Sequence, residues 1–161
     1  MQKLDPEKLP EPVLAAQAGA EAYLQERFRG RRVIPKPVVC QLPIPEVEGV
    51  LWAVLMPPGG QARERILLAL QQMRKAQERS PAAAAEAIGQ AEDLCVVECA
   101  YWAWFSGDEP QPAPPKDPQA AARAYLRSLK SEAGTLGAAF GEVAGAAIKL
   151  LETPEVSLGK L

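Results

Sequence analysis

The chain has 161 residues, 48% apolar and 24% charged, with a formal net charge of -2 and an isoelectric point near 5.3. That length suits one domain burying roughly two-thirds of the surface its unfolded form exposes, and the composition excludes wholesale disorder and any global attraction to nucleic acid or anionic lipid, so such binding has to be local. Histidine is absent, which removes the commonest general base, the Ser-His and Cys-His nucleophile pairs and the commonest metal ligand.

Asparagine is absent too, while Ala, Arg, Glu and Pro are abundant; this suits a thermophilic source or a GC-rich genome, and composition does not separate the two. The opening MQKLDPEKLPEP lacks the basic and then apolar order of a secretory signal, and no window reaches about 18 uninterrupted apolar residues. The expectation is a cytoplasmic protein without a membrane span. Three cysteines, Cys40, Cys95 and Cys99, then read as free thiols packed as small hydrophobes.

Residues 1–12 carry Pro6, Pro10 and Pro12 among charges and read as an extended lead. Val13, Ala16, Ala20, Leu24 and Phe28 recur at helical spacing, predicting a first helix that ends near Gly30. From Arg31 to Met56 the period changes, and PVVCQLPIP and VEGVLWAVLM around a polar EVEG predict a β-hairpin. Pro43 and Pro45 cannot donate to a ladder, so the first strand belongs at an edge or ends there. The second strand, Val50 to Met56, is apolar on both faces and needs cover on both.

PPGG, residues 57–60, is a turn, followed by an amphipathic helix over about 61–79 with Ile66, Leu67, Leu70 and Met73 opposite Arg63, Glu64, Arg74 and Lys75. Ser80 and Pro81 supply an N-cap and first-turn proline for the next helix. Over residues 93–105 two readings stand open: that helix continues, or a strand runs from Cys95 to Trp104 where β-branched and aromatic residues are dense. The alanine run before it favours helix. GDEPQPAPPKDP, residues 107–118, is a proline-rich linker.

Over 119–152, Ala122, Leu126, Leu129, Ala133, Leu136, Phe140, Val143, Ala147 and Leu150 alternate steps of four and three, predicting one long helix with a heptad seam. Gly137, Gly141 and Gly145 repeat every fourth residue beside it. Each weakens a helix by roughly 1 kcal/mol relative to alanine, and close approach of another backbone along that ridge is the simplest offset. The seam and ridge, Leu126, Leu129, Leu136, Gly137, Phe140, Gly141, Val143 and Gly145, are therefore the candidate self-association surface.

Cys95 and Cys99 share a helical face, but zinc wants four ligands in paired short spacings, so core packing is the plainer reading. Glu98 among apolar residues suits a solvent-facing or ion-paired side chain better than a general acid without a partner. Arg27, Arg29, Arg31, Arg32 and Lys36 crowd into ten residues, more than a helix dipole requires, and suggest contact with phosphate, as in a nucleoprotein subunit, or with an acidic partner. Tyr101, Trp102, Trp104 and Phe105 are candidates for a partner contact or for core.

The order of elements, with a strand carrying the proline-bearing apolar run CQLPIP, a second strand VEGVLWAVLMPP leading into a helix, a later apolar segment ending in the turn SGDEP, and closing helices, resembles the tail assembly chaperones of long-tailed bacteriophages over roughly residues 33–150. The insertion Pro110–Pro118 departs from that pattern. The resemblance implies a cytoplasmic protein without catalytic residues that coats an aggregation-prone tape measure protein and recruits tail tube subunits.

Taken together, the sequence predicts a mostly α-helical α+β domain: four helices, one small antiparallel hairpin and a long C-terminal heptad helix. Its expected divisions are a lead (1–12), a helix, hairpin and two-helix core (13–106), a linker (107–118), a packing helix (119–152) and a tail (153–161). The expected function is that of an oligomeric assembly or adaptor protein with a protein partner and no enzymatic activity or cofactor. The alternative is a helical nucleoprotein subunit.

Overall fold

The computed structural model describes residues 9–106 and 118–159, with side chains as far as Leu151. Most of the expected lead, all but Pro118 of the expected linker, and all of the expected tail's side chains lie outside the described residues.

The fold is mostly helical with a three-stranded antiparallel sheet in the order β1-β2-β3. In chain order the elements are α1 (Glu11–Arg27), β1 (Val38–Ile44), β2 (Gly49–Leu55), α2 (Gly60–Gln77), α3 (Pro81–Cys99), β3 (Ala100–Phe105), α4 (Pro118–Ser128) and α5 (Gly134–Gly159). Short 3₁₀ turns, Pro45–Val47 and Leu129–Ser131, link β1 to β2 and α4 to α5. The described residues thus hold five helices and three strands, against the four helices and single hairpin expected.

β2 is the centre. Leu51 through Met56 are all buried, and alternation sends Leu51, Ala53 and Leu55 to one face and Trp52, Val54 and Met56 to the other. On the first face lie Cys40, Ile44, Ile66, Cys95, Val96, Cys99, Leu126, Phe140 and Val143, from β1 and α2–α5. Across the second lies α1, which sets down Val13, Ala16, Ala20 and Leu24. β1 is an edge strand with Pro43 inside it, paired to β2 from Val38↔Leu55 to Ile44↔Gly49.

The stretch left open between helix and strand is both. Ser80 caps α3, its Oγ accepting from the Ala83 N–H at 3.1 Å, and the helix runs to Cys99 before Ala100 turns extended at φ -73°, ψ 124°. No loop intervenes. The Cys99 carbonyl, among those that a helix end leaves without an intrahelical partner, accepts the Met56 N–H at 2.8 Å, so the helix terminus is joined directly to the end of β2. Continuation of the helix to 105 is overturned because YWAWF completes the sheet: Trp52 faces Trp104 and Val54 faces Trp102, with a bulge next to Leu55.

The helix expected over 119–152 is two helices. At the break Glu132 is extended and Gly134 takes φ +66°, a left-handed conformation that favours glycine. Two hydroxyls donate to nearby carbonyls there, Ser128 to Tyr125 at 2.6 Å and Ser131 to Ser128 at 2.9 Å, competing with helical bonding. The spacing of four and three reported burial rather than continuity: Ala122, Leu126, Leu129, Phe140, Val143 and Ala147 are buried, whereas Ala133 falls in the break and is exposed. The window Gly134–Leu151 has the length and apolarity of a membrane span, yet Ala139, Phe140, Val143, Ala144, Ala147 and Leu151 are packed inside the fold.

The first turn of α5 is held from the hairpin. Glu46 accepts the Thr135 N–H at 3.0 Å and the Thr135 hydroxyl at 2.7 Å, which supplies a side-chain partner for an N-terminal N–H of the helix. The Thr135 bonds hold the Glu46 carboxyl below its ordinary value of 4.5. A lowered folded pKa contributes stability that is present above that ordinary value and lost as pH falls through the folded one. Wild type should therefore lose more stability than Glu46→Gln on acidification from pH 6 to pH 3, as read by chemical denaturation at each pH; parallel curves would rule the contact out as a source of acid sensitivity.

The three glycines beside the seam do not share one environment. A Cβ at Gly137 would overlap the Glu132 carbonyl oxygen, one at Gly141 would stand 2.8 Å from Glu92 Oε2, and one at Gly145 would meet nothing within 4 Å. Gly145→Ala should raise stability by about 1 kcal/mol, a Tm gain of about 3 °C, while Gly137→Ala should lower it by about 2 kcal/mol. Thermal unfolding of the two variants checks both signs.

Candidate protein-contact site

The thiols are interior groups. Cys40, Cys95 and Cys99 are free and buried, and desolvation pushes the first two up to about 11 and Cys99 to about 12. Neighbours add to the rise, Glu92 at Cys95, and at Cys99 the Cys95 thiol as it ionises and Glu98. Thiols that hold their protons at neutral pH make poor nucleophiles. Glu98 accepts from Arg65 Nη2 at 2.7 Å. Among the described residues no group of three or more His, Cys, Asp or Glu is placed to hold a metal ion.

The aromatic stretch is divided by the pleat of β3. Phe105 is buried on the larger core face, while Tyr101, Trp102 and Trp104 pack partly buried on the α1 side. Tyr101 leans on Tyr23 with ring centroids 6.1 Å apart, and Trp102 on Trp104 at 6.2 Å. The Trp52 and Trp104 indole N–H groups are buried without an acceptor among the described residues.

Of the proposed self-association residues, Leu126, Leu129, Phe140 and Val143 are buried within this chain, so their apolar surface is already covered by its own core. Leu136, Gly137, Gly141 and Gly145 are partly exposed, and Gly141 and Gly145 line a hollow of about 320 Å³ between α5 and the edge strand β1.

The basic residues lie at the end of α1 and in the segment leading to β1, and Arg27, Arg29, Arg31, Arg32 and Lys36 are all exposed. Arg29 pairs with Glu26 at 3.2 Å, and Arg27 lies over the Phe28 ring at 5.8 Å.

A surface that the sequence did not single out is the trough between α2 and α3, about 800 Å³ in volume. Arg65, Leu68, Ala69 and Gln72 form one wall, and Glu86, Gly89, Gln90, Asp93, Leu94 and Val97 the other. Both walls follow steps of three and four, the spacing of a single helical face. Leu68, Ala69, Leu94 and Val97 lie there among polar and charged side chains, with Lys130 also in the lining; Arg65 is tied to Glu98, and Arg127 grips both oxygens of Asp93 at 2.9 Å each. Leu68 is 55% exposed and Leu67 beside it 44%. The available sign was ILLAL, residues 66–70, which is too wide an apolar run for one buried face.

Comparison with protein families, with curated proteins and with solved structures finds no match for this chain.

Burial of the three thiols sets an expectation for labelling. In the folded protein at pH 7.5 none should react with a thiol reagent within minutes, and all three should react in denaturant. Rapid labelling of one cysteine in the native state would restore a reactive-thiol reading.

Proposed function

We propose that this chain is an assembly or adaptor protein acting by contact rather than by chemistry, and that it seats a helical segment of a protein partner in the α2–α3 trough. The observation that carries the reading is the trough itself. Two helical stripes line it with Leu68, Ala69, Leu94 and Val97 set among polar and charged side chains, a mixture suited to an amphipathic helix. The α3 wall, residues 86 to 97, runs for about 16 Å, enough for roughly three turns of a guest helix. The high thiol pKa values and the ion-paired Glu98 weigh on the same side.

The specific form is a phage-type tail assembly chaperone in the cytoplasm, the partner being a tape measure protein or a tube subunit. The succession of hairpin, helices and closing helices supports it, and a long helical tape measure protein is a natural guest for such a trough. The contact surface is placed on α2 and α3 rather than on the seam, because the seam's largest side chains pack inside this chain.

Two observations test the reading. Tail-structural genes should flank the coding sequence, and co-expression with the tape measure protein encoded there should yield a soluble complex. Leu68→Glu should weaken capture at least about tenfold, equivalent to about 1.4 kcal/mol, while a surface change of this kind moves folding stability by no more than about 0.5 kcal/mol. Capture indifferent to Leu68→Glu, or flanking genes without any tail product, would remove the proposal.

A further inference from the structure

The segment between α1 and β1 combines charge and exposed apolar surface in a way that the trough does not explain. Gly30, at φ +80°, turns the chain out of α1, and the Arg31 N–H donates to the Phe28 carbonyl at 3.0 Å. Phe28 packs against the α1 face of the core, and Pro37 is buried at the other end, so both ends are fixed and the residues between them stand out. Val33 is 76% exposed, the highest value among the exposed large hydrophobics, and Ile34 is 42% exposed. Arg31, Arg32 and Lys36 flank them and make no ion pair among the described residues. Two carboxylates stand near, Glu26 against Arg29 and Glu21, which lines a small hollow with Ile34 and Lys36, so the patch remains strongly positive on a chain of net charge -2.

We propose that the loop Arg29–Lys36 is a peripheral membrane-contact site, which docks reversibly on an anionic phospholipid surface with its cations on headgroup phosphates and Val33 and Ile34 in the boundary beneath them. Charge complementarity selects an anionic occupant, and the aliphatic pair selects among anionic occupants. A nucleic acid offers phosphates and stacking faces, and the exposed tips carry no aromatic ring to stack. A bilayer offers phosphates directly above an apolar layer, and stable attachment to one takes two signals, a basic patch and an apolar insertion. Both are here within eight residues, on a backbone stiffened by Pro35 and Pro37.

Sedimentation of the full chain with vesicles tests this independently of any partner for the trough. Binding is expected to vesicles containing about 30% anionic phospholipid and not to neutral ones, and to fall steeply as salt rises. The Arg31→Glu, Arg32→Glu double variant should lower it about tenfold, and Val33→Ser, Ile34→Ser about fivefold. Val33→Ser alone, at the more exposed position, should give part of that loss with an unchanged circular dichroism spectrum. Inorganic phosphate at matched headgroup concentration should not release the protein. The proposal is overturned if anionic vesicles fail to bind at low salt, if binding ignores the Val33 and Ile34 changes, or if phosphate or a short DNA duplex displaces the vesicles at equal phosphate concentration.

Discussion

A strand that is apolar on both faces cannot sit at a surface, and in this protein that strand is β2. Each fully buried Leu, Val or aromatic side chain on it contributes about 1.5–3 kcal/mol relative to exposure, so leaving either face open forfeits a large part of a domain's net stability. Position in the fold follows from that requirement. α1 is laid across the Trp52–Val54–Met56 side, while α3, α4 and α5 bring Cys95, Leu126 and Phe140 to the Leu51–Leu55 side. β1 and β3 complete the pairing of its backbone.

The same requirement explains which parts could be read in advance. Alternation and apolarity marked β2 as doubly covered, spacing placed Val13, Ala16, Ala20 and Leu24 on one face of α1, and Ser80 with Pro81 announced the start of α3. Each is a local signal with a local cause. What escaped depends on partners distant in sequence. Ala100 to Phe105 could have prolonged α3; pairing with β2, about fifty residues earlier, drew them into the sheet. The break at 129–133 was hidden because both helices bury residues in the same core, which keeps the three-and-four rhythm in step across it.

Of the candidate contacts, the basic residues were legible because charge at that density has few uses inside a protein, and they are exposed. The glycine ridge has neighbours within the chain at two of its three positions. A repeat of small residues reads as one groove, yet Gly137 makes room for a carbonyl of its own chain and Gly141 for Glu92 of α3. The trough between α2 and α3 was the least legible because it belongs to neither helix alone. Its walls come from stripes separated by a tight turn, and the apolar excess of ILLAL takes on meaning only when the two stripes face each other.

The grip of Glu46 on Thr135 spans 89 residues and ties the hairpin to the last helix. On a ribosome moving at about 5–20 residues per second, the turn that carries Glu46 emerges on the order of ten seconds before the helix it caps. Through that interval the Leu51–Leu55 side of the sheet lacks Phe140 and Val143. Until α5 is made, that face is covered by Ile66, Cys95, Val96, Cys99 and Leu126, so the last of its cover comes from the residues farthest along the chain.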